Sequence, residues 1–567
     1  MARRKFDQHF KEHATELARE DGKTTAQVAR DLRINDSTLR SWVALDRRRG
    51  AAVRAQAAED RREQGQTGPT EPLSSPPAGE HWATWGAARD GARTVLTRVQ
   101  ALTLGLPVLM SAILIGMNLR YWLIACLGIV TGLYFVTGVH KMWLLVRGEA
   151  AATSAAADPQ LPPAGELPVY TVLVPLYHED RILPTLVERL RRLDYTPERL
   201  QVLLLIEADD ERTLGAARDY PFPSHIRPLL MPLGQPRTKP RALNIGLHEA
   251  QGEYIVVYDA EDEPEPDQLR KAVAAMRALP TDVVCLQARL NFYNRRQSVL
   301  TRLGAVDYAV WYDHFLPGLT SGLAQPGAFV PLGGTSNHFR VEILRKVGGW
   351  DPYNVTEDCD LGVRLGRDDL RVAMIDSTTW EEAVPRAKPW AKQRSRWVKG
   401  YIQTYLVHMR RPLKLWRELG LRGFFDFQML VGASSLLLLI NPLMWAMTAL
   451  YIGSKGTGVG NFIETLFPAP VYYLALLSLT VWNFIFFYCN VYACVRHNLL
   501  DLTRYTLLVP IYWVLLSLAA WMGLISLVYH PSYWAKTEHG FSLSKAGTTA
   551  VAAIGGIEPD PQVEGVR

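Results

Sequence analysis

The stretch Glu253–Pro266, EYIVVYDAEDEPEP, is a short apolar run that stops abruptly at a cluster of acids. A run without polar alternation reads as a strand buried on both faces, with Asp259, Glu261 and Asp262 at its carboxyl tip. YTVLVP (170–175), QVLLLIEADD (201–210) and TDVVCLQAR (281–289) have the same character. Between such runs, RILPTLVERLRRL (181–193) and DQLRKAVAAMRAL (267–279) carry helical spacing. This alternation predicts an α/β domain with a mostly parallel sheet, whose ligands gather beyond the carboxyl ends of the strands. The acids of IEADD and DAEDEPEP fall there.

Outward from this domain the chain turns strongly apolar. Of 567 residues 48% are hydrophobic and 21% charged, too apolar for a disordered chain, and two or three domains are expected. Five stretches lack Asp, Glu, Lys, Arg and His over the length of a membrane crossing: Val99–Leu119, Tyr121–Val139, Phe427–Ser454, Thr465–Val495 and Tyr505–Tyr529. They exclude a purely soluble protein and predict a multi-pass protein of the cell membrane. Arg89, Arg93 and Arg98 precede the first stretch and Lys141 and Arg147 follow the second. By the positive-inside rule these two form a hairpin with cytoplasmic ends, and the α/β domain is cytoplasmic. The five cysteines contain no CxxC pair, so neither a zinc site nor a disulfide framework is indicated.

Ahead of the hairpin, TAQVARDLRINDSTLRSWV (25–43) reads as helix, turn and capped helix. Residues 1–64 hold 15 Lys and Arg against 11 Asp and Glu, a weak footprint for nucleic acid. Residues 65–94 read as a linker, Pro/Gly/Ser-rich at the start, and residues 148–168 as a second one.

Several segments can carry chemistry. Asp259, Glu261 and Asp262 form either an acidic loop or a set of hard oxygen ligands for Mg2+ or Mn2+ bridged to a diphosphate. In QPRTKPRALNIGL (235–247), Lys239 and Arg241 form either a solvated basic turn or a grip on a nucleotide diphosphate. LGGTSNHFR (332–340) is a Gly-Gly turn whose backbone can approach a ligand. In YNVTEDCDLGVRL (353–365), Glu357, Asp358 and Asp360 open a helix, where acids complement the dipole or supply a general base. KPWAKQRSRWVKGYIQTYLVHMRRPLKLW (388–416) suits an amphipathic helix at the membrane surface, with Arg394, Arg396 and Trp397 able to meet a diphosphate and a sugar ring.

Taken together and in order, Asp259-Ala-Glu261, Thr356-Glu357-Asp358 and Gln393-Arg394-Ser395-Arg396-Trp397 resemble the D-x-D, T-E-D and Q-x-x-R-W motifs of membrane-embedded family 2 glycosyltransferases. The DAEDEPEPDQL form looks closest to the phage N4 receptor glycan synthase branch, and residues 1–48 resemble the helix-turn-helix of transposases. The resemblance implies an A-type glycosyltransferase domain (169–390) between a transmembrane hairpin (95–147) and interface helices (391–422). A C-terminal transmembrane region (423–530) and a tail (531–567) would follow. It implies a nucleotide-diphosphate sugar, a UDP-sugar, as donor, held by Glu207, Lys239, Arg241, Asp259, Arg394 and Arg396. Asp358 would be the catalytic base, and Glu357, Gln393 and Trp397 would hold the acceptor. Asp259, Glu261 and Asp262 would face the metal, with Glu261 standing where the family more often has Asp. Trp534, Lys536, Thr537 and His539 would serve as a gate if the tail is cytoplasmic. That requires an even number of crossings after the catalytic domain. Either Phe427–Ser454, broken at Asn441-Pro442, or Tyr505–Tyr529, lying in the interface, would have to depart from a simple span. The function implied is inverting, processive synthesis of a β-linked polysaccharide coupled to export. The rivals are non-processive transfer to a lipid and a membrane-tethered DNA-binding regulator acting through residues 1–48.

Overall fold

A computed structural model describes residues 91–154, 161–321, 328–496 and 498–531, together with Leu39. The chain divides into two units, Met1–Pro72 and Leu73–Arg567. Apart from Leu39, the helix-turn-helix-like segment lies outside the described residues, as do Trp534, Lys536, Thr537 and His539.

The second unit is built on one eight-stranded sheet: β1 (Tyr170–Leu176), β2 (Leu200–Glu207), β3 (Ile226–Met231), β4 (Tyr254–Val257), β5 (Glu263–Pro264), β6 (Val283–Phe292), β7 (Asn337–Arg340) and β8 (Arg371–Glu381). The order is β3-β2-β1-β4-β7-β6-β8-β5. β1 to β4 are mutually parallel, with Val172 opposite Val202 and Val256, and β6 runs parallel to β8. β7 enters antiparallel between β4 and β6, and β5 is antiparallel to β8. Leu173, Leu203, Leu205 and Ile255 pack on one face while Val172, Val202, Leu204 and Val256 pack on the other. Both faces are dry, which is why these strands are continuous apolar runs. β1, β2 and β4 therefore end side by side, delivering Tyr177, Glu207 and Asp259 to one edge.

The helices that frame this edge are α1 (Arg98–Ser154), α2 (Lys239–Glu249), α3 (Val299–Val310), α4 (Leu316–Thr320), α5 (Glu357–Arg367), α6 (Ala387–His408), α7 (Ser434–Gly453) and α8 (Val509–Tyr529). Among the described residues, four helical runs are long and apolar enough to cross a membrane: Arg98–Ala150, Pro412–Gly453, Ala469–Arg496 and Leu500–Tyr529. The first holds both stretches of the expected hairpin. It breaks at Asn118 (φ −164°, ψ 100°), whose Oδ1 accepts the Tyr121 N–H at 3.2 Å and so caps the second segment. α1 then continues to Ser154, past the expected boundary, through an Ala-rich run of high helix propensity.

The expected break at Asn441-Pro442 does not occur. α7 runs through Pro442, and the irregular turn lies upstream, where Gln428–Ala433 is π-helical. Asn441 instead accepts a hydrogen bond from Tyr134 of α1.

Two close helix contacts position the site. A Cβ on Gly148 of α1 would fall 2.3 Å from the His314 carbonyl oxygen, and one on Gly318 of α4 would fall 2.1 Å from that of Leu144. Only hydrogen at these positions lets α1 rest backbone to backbone on the catalytic unit. α6 and α8 run side by side in the same direction, Trp390 meeting Tyr512 near one end. Farther along, Lys399 Nζ in the middle of α6 donates to the carbonyl of His530, the residue just past α8, at 2.5 Å.

Candidate active site

The strand edge opens into a cavity of about 1080 Å3. Its end nearest the strand tips is lined by Tyr177, Glu179, Glu207, Arg237, Lys239, Asp259 and Glu261, its middle by Gly333, Gly334, Glu357, Asp358, Glu381, Gln393, Arg396 and Trp397. Its far end is lined by residues of the apolar helices, including Lys141, Leu430, Ser434, Leu438 and Leu516.

At the strand tips, Lys239 on the first turn of α2 donates to Asp259 Oδ1 at 2.5 Å and to the Gly334 carbonyl at 2.8 Å. Arg241, on the same helix, pairs with Glu207 at 3.4 Å. Burial raises the Glu207 carboxyl, and Arg241 opposes that rise. Arg241 is thus a buried support behind Glu207. Asn244 is likewise structural, bonding both the N–H and the carbonyl of Trp350.

Asp262 corrects the expected metal triad. Its carboxylate turns inward, accepting the Asp259 N–H at 2.8 Å and the Thr335 hydroxyl. Burial, then Asp259 and Glu261, push this carboxyl well above its ordinary range. Among the described residues no three Asp, Glu, His or Cys side chains converge as a metal cage. Asp259 and Glu261 remain on the cavity wall, backed by Glu381, whose carboxyl is driven up by burial and by Asp262, Glu261 and Asp259. Hard oxygen donors crowded with one ammonium between them fit a divalent cation shared with a diphosphate.

The middle of the cavity is held by α5 and α6. Asp358 Oδ1 accepts the Cys359 N–H at 2.7 Å. Burial raises the Asp358 carboxyl, with Lys239 and Arg396 opposing, and burial together with Asp358 raises that of Glu357 to about 7. α6 fixes the preceding turn: Gln403 Oε1 accepts the Val355 N–H at 3.0 Å, and a Cβ on Gly400 would fall 2.3 Å from Thr356. Asp360, by contrast, faces away to Arg364 and His408 at 2.8 and 2.9 Å.

The two motif arginines divide. Arg396 faces Glu357, Asp259, Asp358 and Glu261. Arg394 also lines the cavity, but its guanidinium lies over the Trp397 ring at 4.2 Å and 3.8 Å from Asp307. Tyr177, Glu179, Arg237, Asp307 and Glu381 were not singled out by sequence. For Tyr177 and Glu179 the available signal was their place directly after β1.

Residues 168–400 match the glycosyltransferase like family 2 profile, and residues 1–66 match a transposase profile. Residues 168–400 thus form a family 2 glycosyltransferase domain of mixed α/β fold, with a segment matched by a transposase profile ahead of it in sequence. It is similar to the beta-monoglucosyldiacylglycerol synthase of Synechocystis sp., 25% identical over 372 residues covering 60% of this chain and 74% of that protein. It is also similar to the probable glucomannan 4-beta-mannosyltransferase 15 of Arabidopsis thaliana, 26% identical over 270 residues covering 44% and 48%. The chain spans between about half and three quarters of the length of such curated relatives. Among solved structures, the mannosyltransferase PcManGT of Pyrobaculum calidifontis, in complex with GDP-Man and Mn2+, is 19% identical with a TM-score of 0.37. That match covers 62% of this chain and 99% of that one.

Proposed function

We propose that this protein is an inverting glycosyltransferase that builds a β-linked glycan from a nucleotide-diphosphate sugar at the cytoplasmic face of the membrane and passes the product outward between its helices. The observation that carries the reading is the continuity of one cavity from Glu207 and Asp259, past Asp358, to Leu430 and Leu438 of the membrane region. Donor and acceptor can then approach Asp358 from opposite ends.

In this mechanism the acceptor hydroxyl attacks the anomeric carbon of an α-linked donor. As the new carbon–oxygen bond forms, Asp358 takes the hydroxyl proton, and the anomeric bond to the diphosphate breaks with its electrons leaving on the phosphate oxygen. Lys239 and Arg396 stabilise the charge developing on that oxygen. A divalent cation held by Asp259 and Glu261 would neutralise the diphosphate further. A single displacement inverts the centre.

The pairing of α8 with α6 supports the interface placement of Tyr505–Tyr529. Lys399 lies one helical turn beyond Arg396, so the end of α8 is on the catalytic side of the membrane. With α8 in the interface, Pro412–Gly453 and Ala469–Arg496 would be the crossings after the domain.

A second reading, transfer of a single sugar to a lipid, is favoured by the apolar side chains of Leu430, Leu438 and Leu516 at the far end. The experiment is incubation of the purified protein in lipid with a panel of nucleotide sugars and Mg2+ or Mn2+. Diphosphate release identifies the donor, and the size and linkage of the product separate a β-glycan from a glycolipid.

A further inference from the structure

We propose that residues 91–97, the strap of chain leading into the membrane hairpin, hold the turn that presents Asp358, with Asp351 and Arg410 as positioning residues for sugar transfer. The proposal rests on the glycosyl-transfer reading above. The strap belongs to neither matched segment, since it falls between residues 1–66 and 168–400.

Asp358 is delivered by residues 351–356, a turn whose shape is set by side chains from elsewhere. Thr238, next to Lys239, donates to the Pro352 carbonyl at 2.8 Å. Gln403 of α6 bonds the Tyr353 carbonyl and the Val355 N–H at 3.1 and 3.0 Å. Asp351 opens the turn: its Oδ1 accepts the Tyr353 N–H at 3.0 Å, and its Oδ2 accepts the N–H of Ala92, in the strap, at 2.5 Å. Asp351 is 4% exposed and Ala92 fully buried. A carboxylate oxygen buried this deeply is costly without its donor, so strap and turn hold each other in register.

The strap is in turn pinned to α6. Arg410, two residues past that helix, donates through Nη2 to the carbonyls of Gly91 and Thr94. At the start of α1, Thr97 Oγ1 accepts the Gln100 N–H at 3.2 Å and Gln100 Oε1 accepts the Thr97 N–H at 3.1 Å, a reciprocal capping pair. The Gln100 amide then donates to the Leu406 carbonyl of α6 at 2.6 Å. The Arg93 guanidinium stands 6.0 Å from the centre of the Tyr353 ring, and Tyr353 lines the cavity. The strap thus bridges the helix that carries Gln393, Arg396 and Trp397 and the turn that leads to Glu357 and Asp358. Its displacement would change where Asp358 stands relative to Arg396.

The test uses the full chain in lipid nanodiscs and the donor found by diphosphate release. The kcat and donor KM are measured beside binding of UDP and GDP and thermal unfolding. Asp351→Asn leaves two N–H groups for one acceptor oxygen. It should lower kcat about tenfold, the scale of a small misplacement of a reacting group, with donor KM and nucleotide affinity held within about twofold. Arg410→Gln frees the strap carbonyls without touching the turn and should lower kcat by a smaller factor, and Arg410→Lys, which keeps a cationic donor, should recover most of it. Together, Asp351→Asn and Arg410→Gln should cost less than the product of their separate effects, because both release the same strap. Arg411→Gln, at an exposed neighbouring position, should leave kcat in place. If Asp351→Asn fails to fold, Arg410→Gln and its lysine rescue decide alone. An unaltered kcat in the folded variants, a loss of nucleotide affinity in step with kcat, or a fully multiplicative double variant overturns the proposal. Absence of diphosphate release from the wild type with every donor is a separate outcome that removes glycosyl transfer itself, and the positioning role with it.

Discussion

Gly334 lies against Asp358: a Cβ on this glycine would stand 3.3 Å from Asp358 Oδ2, while its carbonyl holds the Lys239 ammonium at 2.8 Å. The Gly-Gly turn is therefore the spacer between the Asp358 carboxylate and the Lys239 ammonium that balances it. Gly334→Ala should displace the Asp358 carboxylate by a few tenths of an ångström. We expect kcat to fall about tenfold with little change in the donor KM, because small misplacements of a reacting group are expensive. Steady-state kinetics with the identified donor check this, and an unaltered kcat would show that Asp358 tolerates the shift.

Asp358→Asn should reduce transfer by on the order of 100-fold or more while leaving nucleotide binding in place. The amide retains the shape but cannot take the acceptor proton. Isothermal titration with the nucleotide diphosphate, run beside the activity assay, separates loss of chemistry from loss of binding. Near-normal turnover would remove Asp358 from the mechanism.

Buried carboxyls at the front of α5 give the reaction an acid limb. Burial raises both Glu357, to about 7, and Asp358, and only the ionised base accepts a proton, so kcat should decline as pH is lowered, from a higher pH than an ordinary aspartate would give. Glu357→Gln removes one of two like charges, which eases ionisation of Asp358 and should move the limb to lower pH. A pH–rate profile that stays in place, or moves upward, contradicts this coupling.

Chelation should stop transfer, and Mg2+ or Mn2+ should restore it. Asp259→Ala and Glu261→Ala should each weaken nucleotide binding in the presence of the ion. Asp262→Asn should instead lower thermal stability, because that carboxyl serves the Asp259 N–H and Thr335 rather than the cavity. Full activity in excess chelator would rule out the cation.

Deletion of residues 1–80 should leave transfer intact. The residues lining the cavity all lie beyond this segment, and the matched glycosyltransferase domain begins at residue 168. A truncated protein that inserts normally yet is inactive would make the N-terminal segment part of the enzyme.

Much of the sheet was legible because β1, β2, β4 and the first half of β6 are buried on both faces and leave apolar runs. β3 was not read, since Arg227 and Pro228 interrupt IRPLLM. Its place at the sheet edge is where proline is tolerated. The motif acids were legible by type but not by direction: nothing in DAED distinguishes Asp262, which turns inward, from Glu261, which lines the cavity. Arg394 and Arg396 could have been separated in advance. At about 100° per residue, Gln393, Arg396 and Trp397 share one helix face, and Arg394 departs from Arg396 by about 200°.

The bond from Lys399 to the His530 carbonyl moors the chain beside the catalytic helix at the point where α8 ends. With at most about 3.5 Å of reach per residue, everything the polypeptide carries over its next ten positions stays on a leash of about 35 Å. For those residues, meeting the donor is an event within one molecule and does not depend on dilution.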